Sequence, residues 1–295
     1  MPDTLPKLFR GATMKFFRYG PKGAERPALL DANGIGRDLS SLIDDFSGAH
    51  LHPDRLRQLA EVDASRLPEV PDDARIGAVV PRVGNFIGIG LNFADHAAES
   101  GMEAPSEPIL FNKAPSSIAG PNDVLELPAE AQKADWEVEL AVVIGAPAYR
   151  ITREEALTHV AGFTICNDIS ERAFQIERLG TWSKGKGLPG FGPLGPYLVT
   201  PDEVPDPQAL KMWLTLNGET MQNGSTATMI FPVDELVSYC AQFMALEPGD
   251  VITTGTPPGV GMGMKPQRYL QAGDVMELGI EGLGTQRQVC IARAD

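Results

Sequence analysis

Trp136-Glu137-Val138-Glu139-Leu140-Ala141-Val142-Val143-Ile144 reads as a strand, because apolar, β-branched residues run through it without a helix-forming spacing. Alternation puts Glu137 and Glu139 on one face and Trp136, Val138 and Leu140 on the other. Two carboxylates that close repel, and in a low-dielectric site both stay ionised only beside positive charge. A hard divalent cation satisfies that demand with oxygen ligands. The competing reading is an edge strand whose two glutamates are merely solvated and discourage pairing. Asp168 tips the balance: it ends a second apolar strand-like run, Gly162-Phe163-Thr164-Ile165-Cys166-Asn167-Asp168. Three carboxylates from adjacent strands make half a ligand shell and leave positions for water and substrate.

The 295-residue chain is 43% hydrophobic and 22% charged, ordinary for a globular protein. Its 39 acidic residues outnumber 25 basic ones, giving a formal charge of -14, and it lacks the basic runs that nucleic-acid binding requires. Neither a bilayer-length apolar run nor a signal-peptide core is present, so a cytoplasmic protein is expected, with no nucleic-acid or membrane partner. Cys166, Cys240 and Cys290 are odd in number, widely spaced and set in apolar segments, which predicts reduced core thiols.

Residues 1–75 differ from the rest. Two short strands, around residues 14–19 and 28–31, precede polar helical stretches with Leu56, Leu59 and Leu67, and the prolines 68 and 71 with Asp72-Asp73 mark a linker. The reading is a small N-terminal α/β domain over 1–75 and a larger strand-rich domain over 76–295. In the latter, Asn217-Gly218 predicts a hairpin turn between residues 210–216 and 219–222, and residues 232–246 predict a helix with Leu236, Val237, Cys240, Phe243 and Met244 at helical spacing. The fold class is α+β and strand-rich, without alternating βαβ units.

Gly185-Lys186-Gly187-Leu188-Pro189-Gly190 spells GxGxxG but lacks the strand before it and the helix after it that a phosphate loop needs, and Pro189 would break that helix. The simpler expectation is a flexible loop that lets Lys186 approach a ligand, anchored by Trp182. In Asn92-Phe93-Ala94-Asp95-His96-Ala97-Ala98-Glu99 a strand gives way to a short helix, and the i, i+3 spacing sets Glu99 beside His96, the pattern of a base with an orienting carboxylate.

Five phrases together resemble the fumarylacetoacetate hydrolase family over most of residues 80–290: Gly90-Leu91-Asn92-Phe93-Ala94-Asp95-His96, Asp135-Trp136-Glu137-Val138-Glu139-Leu140, Asn167-Asp168-Ile169-Ser170-Glu171-Arg172, Gly185-Lys186-Gly187 and Thr253-Thr254-Gly255-Thr256-Pro257-Pro258-Gly259-Val260-Gly261. Their joint order and spacing are what is specific. The resemblance implies a mixed β-roll or sandwich catalytic domain, one Mg²⁺ or Mn²⁺ per subunit, a homodimer, and cleavage of a carbon-carbon bond in a 2,4-diketo acid. Carried over by position, Glu137, Glu139 and Asp168 are the implied metal ligands, and His96 with Glu99 the implied water-activating pair. Lys186 matches a catalytic lysine, while Arg172, Gln175 and Thr256 fall where substrate contacts are expected. Two departures stand out: Phe93 replaces a common tyrosine, and Gly187-Leu188-Pro189 replaces a phrase that carries an acid.

Residues 261–270 and Arg18-Tyr19-Gly20 look most like a bacterial branch acting on 2,4-diketo-3-deoxy sugar acids of rhamnonate or fuconate type, whose relatives are also labelled ureidoglycolate lyases. An anionic small-molecule substrate that releases pyruvate is therefore expected. The same family hosts isomerases and decarboxylases of related acids, and a non-catalytic calcium-binding module is the remaining alternative.

Overall fold

The computed structural model describes residues 15–95 and 103–293. A long mixed sheet has the order β3 (Gly36–Asp38), β2 (Arg26–Leu30), β1 (Lys15–Tyr19), β12 (Gly192–Val199), β10 (Val160–Asn167), β9 (Val138–Ile144), β15 (Val251–Thr253), β4 (Phe86–Gly90), β5 (Ile109–Lys113), with β6 (Ile118–Ala119) pairing in parallel to β12. A second sheet runs β14 (Glu219–Ser225), β13 (Lys211–Leu216), β16 (Val275–Ile280), β17 (Gly284–Ala292), β7 (Leu125–Leu127). The short strands β8 (Ala134–Asp135) and β11 (Ser170–Glu171) pair with each other. The longest of the described helices are α1 (Pro53–Ala60) and α3 (Val233–Phe243), with the one-turn α2 (Ser183–Lys186) between them. Most neighbours are antiparallel, but β15 lies parallel to β4 and β17 parallel to β7. The fold is the strand-rich α+β class that the sequence pattern predicts.

Strand β9 is no edge: it pairs with β10 on one side and β15 on the other, and every residue of it is buried. Its two faces feed two cores. Trp136, Val138, Leu140, Val142 and Ile144 pack with Met212, Leu214 and Leu278 of the second sheet and with Leu236, Val237 and Cys240 of α3. Ala141 and Val143 pack instead with Phe16, Leu29, Leu51, Leu56 and Leu59 from the first 75 residues, which extend the same sheet through β1 and β12. Because alternation has period two, Glu137 and Glu139 continue the Ala141–Val143 face at the end of the strand, where this second core gives way to a cavity.

The Asn217-Gly218 turn forms as expected, with both residues at positive φ (54° and 82°) as a tight hairpin requires. Helix α3 starts after Pro232 and stops at Phe243, three residues short of the sequence reading. Met244 turns extended because Leu246 is needed in a backbone bridge to Ala148. The glycine-rich phrase also differs: Ser183–Lys186 is a helical turn, and a Cβ on Gly185 would stand 2.4 Å from the Glu171 carbonyl oxygen. Close packing against that carbonyl, not loop flexibility, is what the glycine provides. The three cysteines are free and buried. Burial raises all three thiols, Cys240 and Cys290 to about 12, and Asp168 raises Cys166 further. No described helix is long and apolar enough to cross a membrane.

Candidate metal and active site

Register delivers the carboxylates. Glu139 of β9 lies opposite Cys166 of β10 and Val138 opposite Asn167, so Asp168, just past β10, comes beside Glu137, with its N–H donating to the Glu137 carbonyl at 2.9 Å. The Asn167 side chain fixes this end by accepting from the Glu137 N–H at 3.1 Å. One oxygen each from Glu137, Glu139 and Asp168 falls within 4.8 Å of the others, and all three side chains are buried. The solvated-edge reading of the two glutamates fails on both counts.

Cations crowd two of the three. Lys186 Nζ donates to Glu137 Oε2 and Asp168 Oδ2, both at 2.6 Å, and lies 5.0 Å from the centre of the Phe111 ring. Arg172 donates to Glu137 Oε1 at 2.7 Å, to Asp135 Oδ2 at 2.9 Å and to Gln175 Oε1 at 3.1 Å. Burial alone would lower both cations, but the carboxylates around them, Asp168 and Glu137 for Lys186, Glu137 and Asp135 for Arg172, raise them. Both stay charged.

Glu139 is treated differently. Among the described residues its carboxylate makes no ion pair and accepts one N–H, that of Gly255, at 3.0 Å. Burial, then the negative charges of Asp168 and Glu137, push it well above the usual carboxylate range. Among the described residues four buried carboxylates, counting Asp135, face three buried cations, counting Lys113, and Glu139 is the acid that pairs with none of them. Hard oxygen donors in surplus, converging and shielded from water, fit a divalent cation.

These groups floor a cavity of about 690 Å³ lined by Glu137, Glu139, Arg172, Gln175, Lys186 and Thr256. Its walls carry Ile89, Leu91, Phe111, Ile176 and Trp182, with the exposed Lys265 also lining it. Thr256 is buried and donates its hydroxyl to the Val138 carbonyl at 2.9 Å, while its oxygen accepts from Gln222 at 2.8 Å. It reaches this place because residues 254–256 continue from β15 along β9, with Gly255 at φ 93° making the bend. Six of the nine sequence-derived site residues thus line one cavity, and a seventh, Asp168, lies buried beneath it against Lys186 and Glu137. The other two, His96 and Glu99, lie outside the described residues. The chain leading to them is anchored: Asn92 Nδ2 donates to the carbonyls of Thr254 and Phe231, and Gly90 and Leu91 line the cavity.

The sequence model described as fumarylacetoacetate (FAA) hydrolase C-terminal matches residues 85–290. The chain belongs to the fumarylacetoacetate hydrolase family. Within this family it is similar to a Burkholderia multivorans (strain ATCC 17616 / 249) protein named, provisionally, as a hydrolase: 57% identity over 277 residues, covering 94% of this chain and 98% of that one. A fumarylacetoacetate hydrolase structure from psychrophilic Exiguobacterium antarcticum matches with TM-score 0.84 at 39% identity, over 95% of this chain and 99% of its own. A Mycobacterium abscessus structure, named provisionally as a 2-hydroxyhepta-2,4-diene-1,7-dioate isomerase, matches with TM-score 0.80 at 33% identity, over 95% and 100%. The family therefore reaches this chain with both hydrolase and isomerase names attached.

Two residues of this fumarylacetoacetate hydrolase family site escaped the motif reading. Asp135 accepts from the backbone N–H groups of Gly261 (2.7 Å) and Met262 (3.0 Å) and from Arg172, tying the loop over the cavity to its floor. Lys113 ends β5 with its side chain fully buried, 2.6 Å from Asp168 Oδ1. The signal for Asp135 was its place beside Trp136 in the decisive stretch. For Lys113 the signal was a lysine closing an apolar strand.

Proposed function

We propose that this chain is a divalent-metal-dependent enzyme that hydrolyses a carbon-carbon bond in a 2,4-diketo acid to give pyruvate and a second carboxylic acid. The observation that carries the reading is the buried Glu137–Glu139–Asp168 triad beneath a cavity of small-ligand size. These three carboxylates would hold a divalent cation, which would supply positive charge and a Lewis acid suited to an anionic substrate.

His96, oriented by Glu99, removes a proton from the water that attacks the C4 carbonyl, a contribution of about 10²–10⁴ in rate. Lys186 and Gln175 then donate to the oxyanion that forms at C4. When the C3–C4 bond breaks, its electron pair leaves with the pyruvate half, which takes up the proton. Arg172 and Thr256 orient the substrate, and the apolar wall of Phe111 and Trp182 excludes water from the reacting bond. The ion is Mg²⁺ or Mn²⁺, one per subunit. Residues 1–75 form a small N-terminal domain that extends the sheet through β1, and the enzyme is a cytoplasmic homodimer.

The finer reading, a 2,4-diketo-3-deoxy sugar acid as substrate, rests on the phrases at residues 18–20 and 261–270. An isomerase or decarboxylase is the second reading, favoured by the name carried by the Mycobacterium abscessus relative. Pyruvate release from a panel of acylpyruvates and diketo-deoxy sugar acids, with Mg²⁺, with Mn²⁺ and after EDTA, separates them. Metal-dependent pyruvate from any member supports the hydrolase; substrate consumption without pyruvate moves the assignment to the second reading.

A further inference from the structure

We propose that Lys113 is a positioning residue that aims Asp168 at the cation and holds Lys186 in register with it; the inference rests on the metal reading of the triad. Lys113 closes β5, paired in register with Phe86 of β4, and its side chain is inaccessible to solvent, as is that of Asp168. Its ammonium donates to three carbonyls and forms an ion pair with Asp168, whose Oδ1 takes no hydrogen bond among the described residues. Asp168 Oδ1 lies at 2.6 Å, the Lys186 carbonyl at 2.5 Å, the Phe191 carbonyl at 2.9 Å and the Ile169 carbonyl at 3.4 Å.

That arrangement divides the two oxygens of Asp168. Oδ1 faces Lys113 and Oδ2 faces Lys186, which Glu137 shares. The ion pair on Oδ1 opposes rotation of the carboxylate about its terminal torsion and keeps Oδ2 on the side of Lys186 and Glu137. The same ammonium fixes the last carbonyl of α2, so the backbone that carries Lys186 is set by the group that sets Asp168. A packing role alone would be served at lower cost by an apolar side chain of equal length, because a buried ammonium loses several kcal/mol of hydration. Partners that orient the ligands of a metal are typically worth 10- to 100-fold in affinity.

Two effects of opposite sign meet here. The positive charge of Lys113 repels a nearby dication, whereas its grip on Asp168 favours binding. Geometry wins, since the ammonium is locally neutralised by Oδ1 and its loss would free both the carboxylate and the α2 backbone.

The test is Mn²⁺ titration, followed by calorimetry, of the wild-type protein, Lys113→Met, Asp168→Asn and the double variant, with thermal unfolding measured alongside. The expected result is Mn²⁺ affinity weakened about 10- to 100-fold by Lys113→Met, with no further loss when it is added to Asp168→Asn. Unchanged or tighter binding in Lys113→Met overturns the proposal, and so does a loss that multiplies in full with that of Asp168→Asn, which would mean that Lys113 acts elsewhere. If Lys113→Met does not fold, Lys113→Gln, which keeps donors without the charge, takes its place. Should neither fold, the ¹⁵N resonance of the Lys113 ammonium in the wild-type protein decides: a shift at one equivalent of Mg²⁺ supports the contact with a ligand of the ion, and no shift overturns it. A wild-type protein that binds no Mn²⁺ would instead defeat the metal reading itself.

Discussion

Two charge clusters in this molecule, one half-buried and one fully buried, are solved in opposite ways. Near the N-terminal strands, Arg18 grips Asp45 with two bonds of 2.7 and 2.8 Å, and Arg75 grips Asp123 with two of 2.7 Å. Glu25 is shared between the arginines, at 2.9 Å from Arg75 and 3.6 Å from Arg18. Burial would raise Glu25 and Asp123, but hydrogen bonds from Arg75 reverse it and hold both below their ordinary values. At the cavity, by contrast, Glu139 has no ion-pair partner among the described residues and is pushed up, first by burial and then by Asp168 and Glu137. The N-terminal cluster gives each of its acids an arginine, whereas the cluster under the cavity leaves Glu139 with no cation among the described residues.

Replacing Glu139 with Gln breaks the comparison at its sharpest point. Metal-dependent turnover should fall to background, while the unfolding temperature holds or rises because a buried acid with no described cation partner gives way to a neutral side chain of the same shape. Steady-state kinetics and thermal unfolding on one preparation check both halves. Lys186→Met comes next: a loss of about 10²–10³ in kcat from the missing oxyanion donor, accompanied by a stability cost of about 3–5 kcal/mol because two buried carboxylates lose their shared cation. Denaturant titration reads the second effect.

The structural cluster should behave in the reverse sense. Asp123→Asn is expected to leave kcat and KM unchanged and to cost about 1–2 kcal/mol, since Arg75 keeps Glu25 as a partner. The pH dependence follows from the direction of the shifts. Folded-state values below the ordinary 4.5 for Glu25 and 3.8 for Asp123 mean that their contribution is complete above those values and is lost as pH falls through the folded ones. The gap in urea midpoint between wild type and Asp123→Asn should therefore be full at pH 7 and shrink toward pH 3; a constant gap would show that Asp123 acts through packing.

The contrast between the clusters also marks what was readable in advance. Glu137 and Glu139 announced themselves because charge interrupts an otherwise apolar strand, and Asp168 because it ends another; each is a local signal. The hairpin at Asn217-Gly218 and the start of α3 at Pro232 were likewise local. The end of α3 was not, because Met244 leaves the helix for a bridge that Leu246 makes with Ala148, a partner distant in sequence. Gly185 looked like part of a mobile loop, since the Glu171 carbonyl that forbids a side chain there is likewise absent from its neighbourhood in sequence. Lys113 and Asp135 escaped for the same reason: their partners, Asp168 and Ile169 for one, Arg172 and Gly261 for the other, are supplied by strand register and loop return. Arg172, Gln175 and Thr256 came from family resemblance alone, and no local pattern in the chain marks them.

The most direct measurement is calorimetric titration of Mn²⁺ into the wild-type protein and into Glu139→Gln, each first stripped with EDTA. One site per chain in the wild type and none at the same concentrations in the variant is the expected result. Equal binding by both proteins, or no binding by a folded wild type, would contradict the assignment of the buried triad as a metal centre.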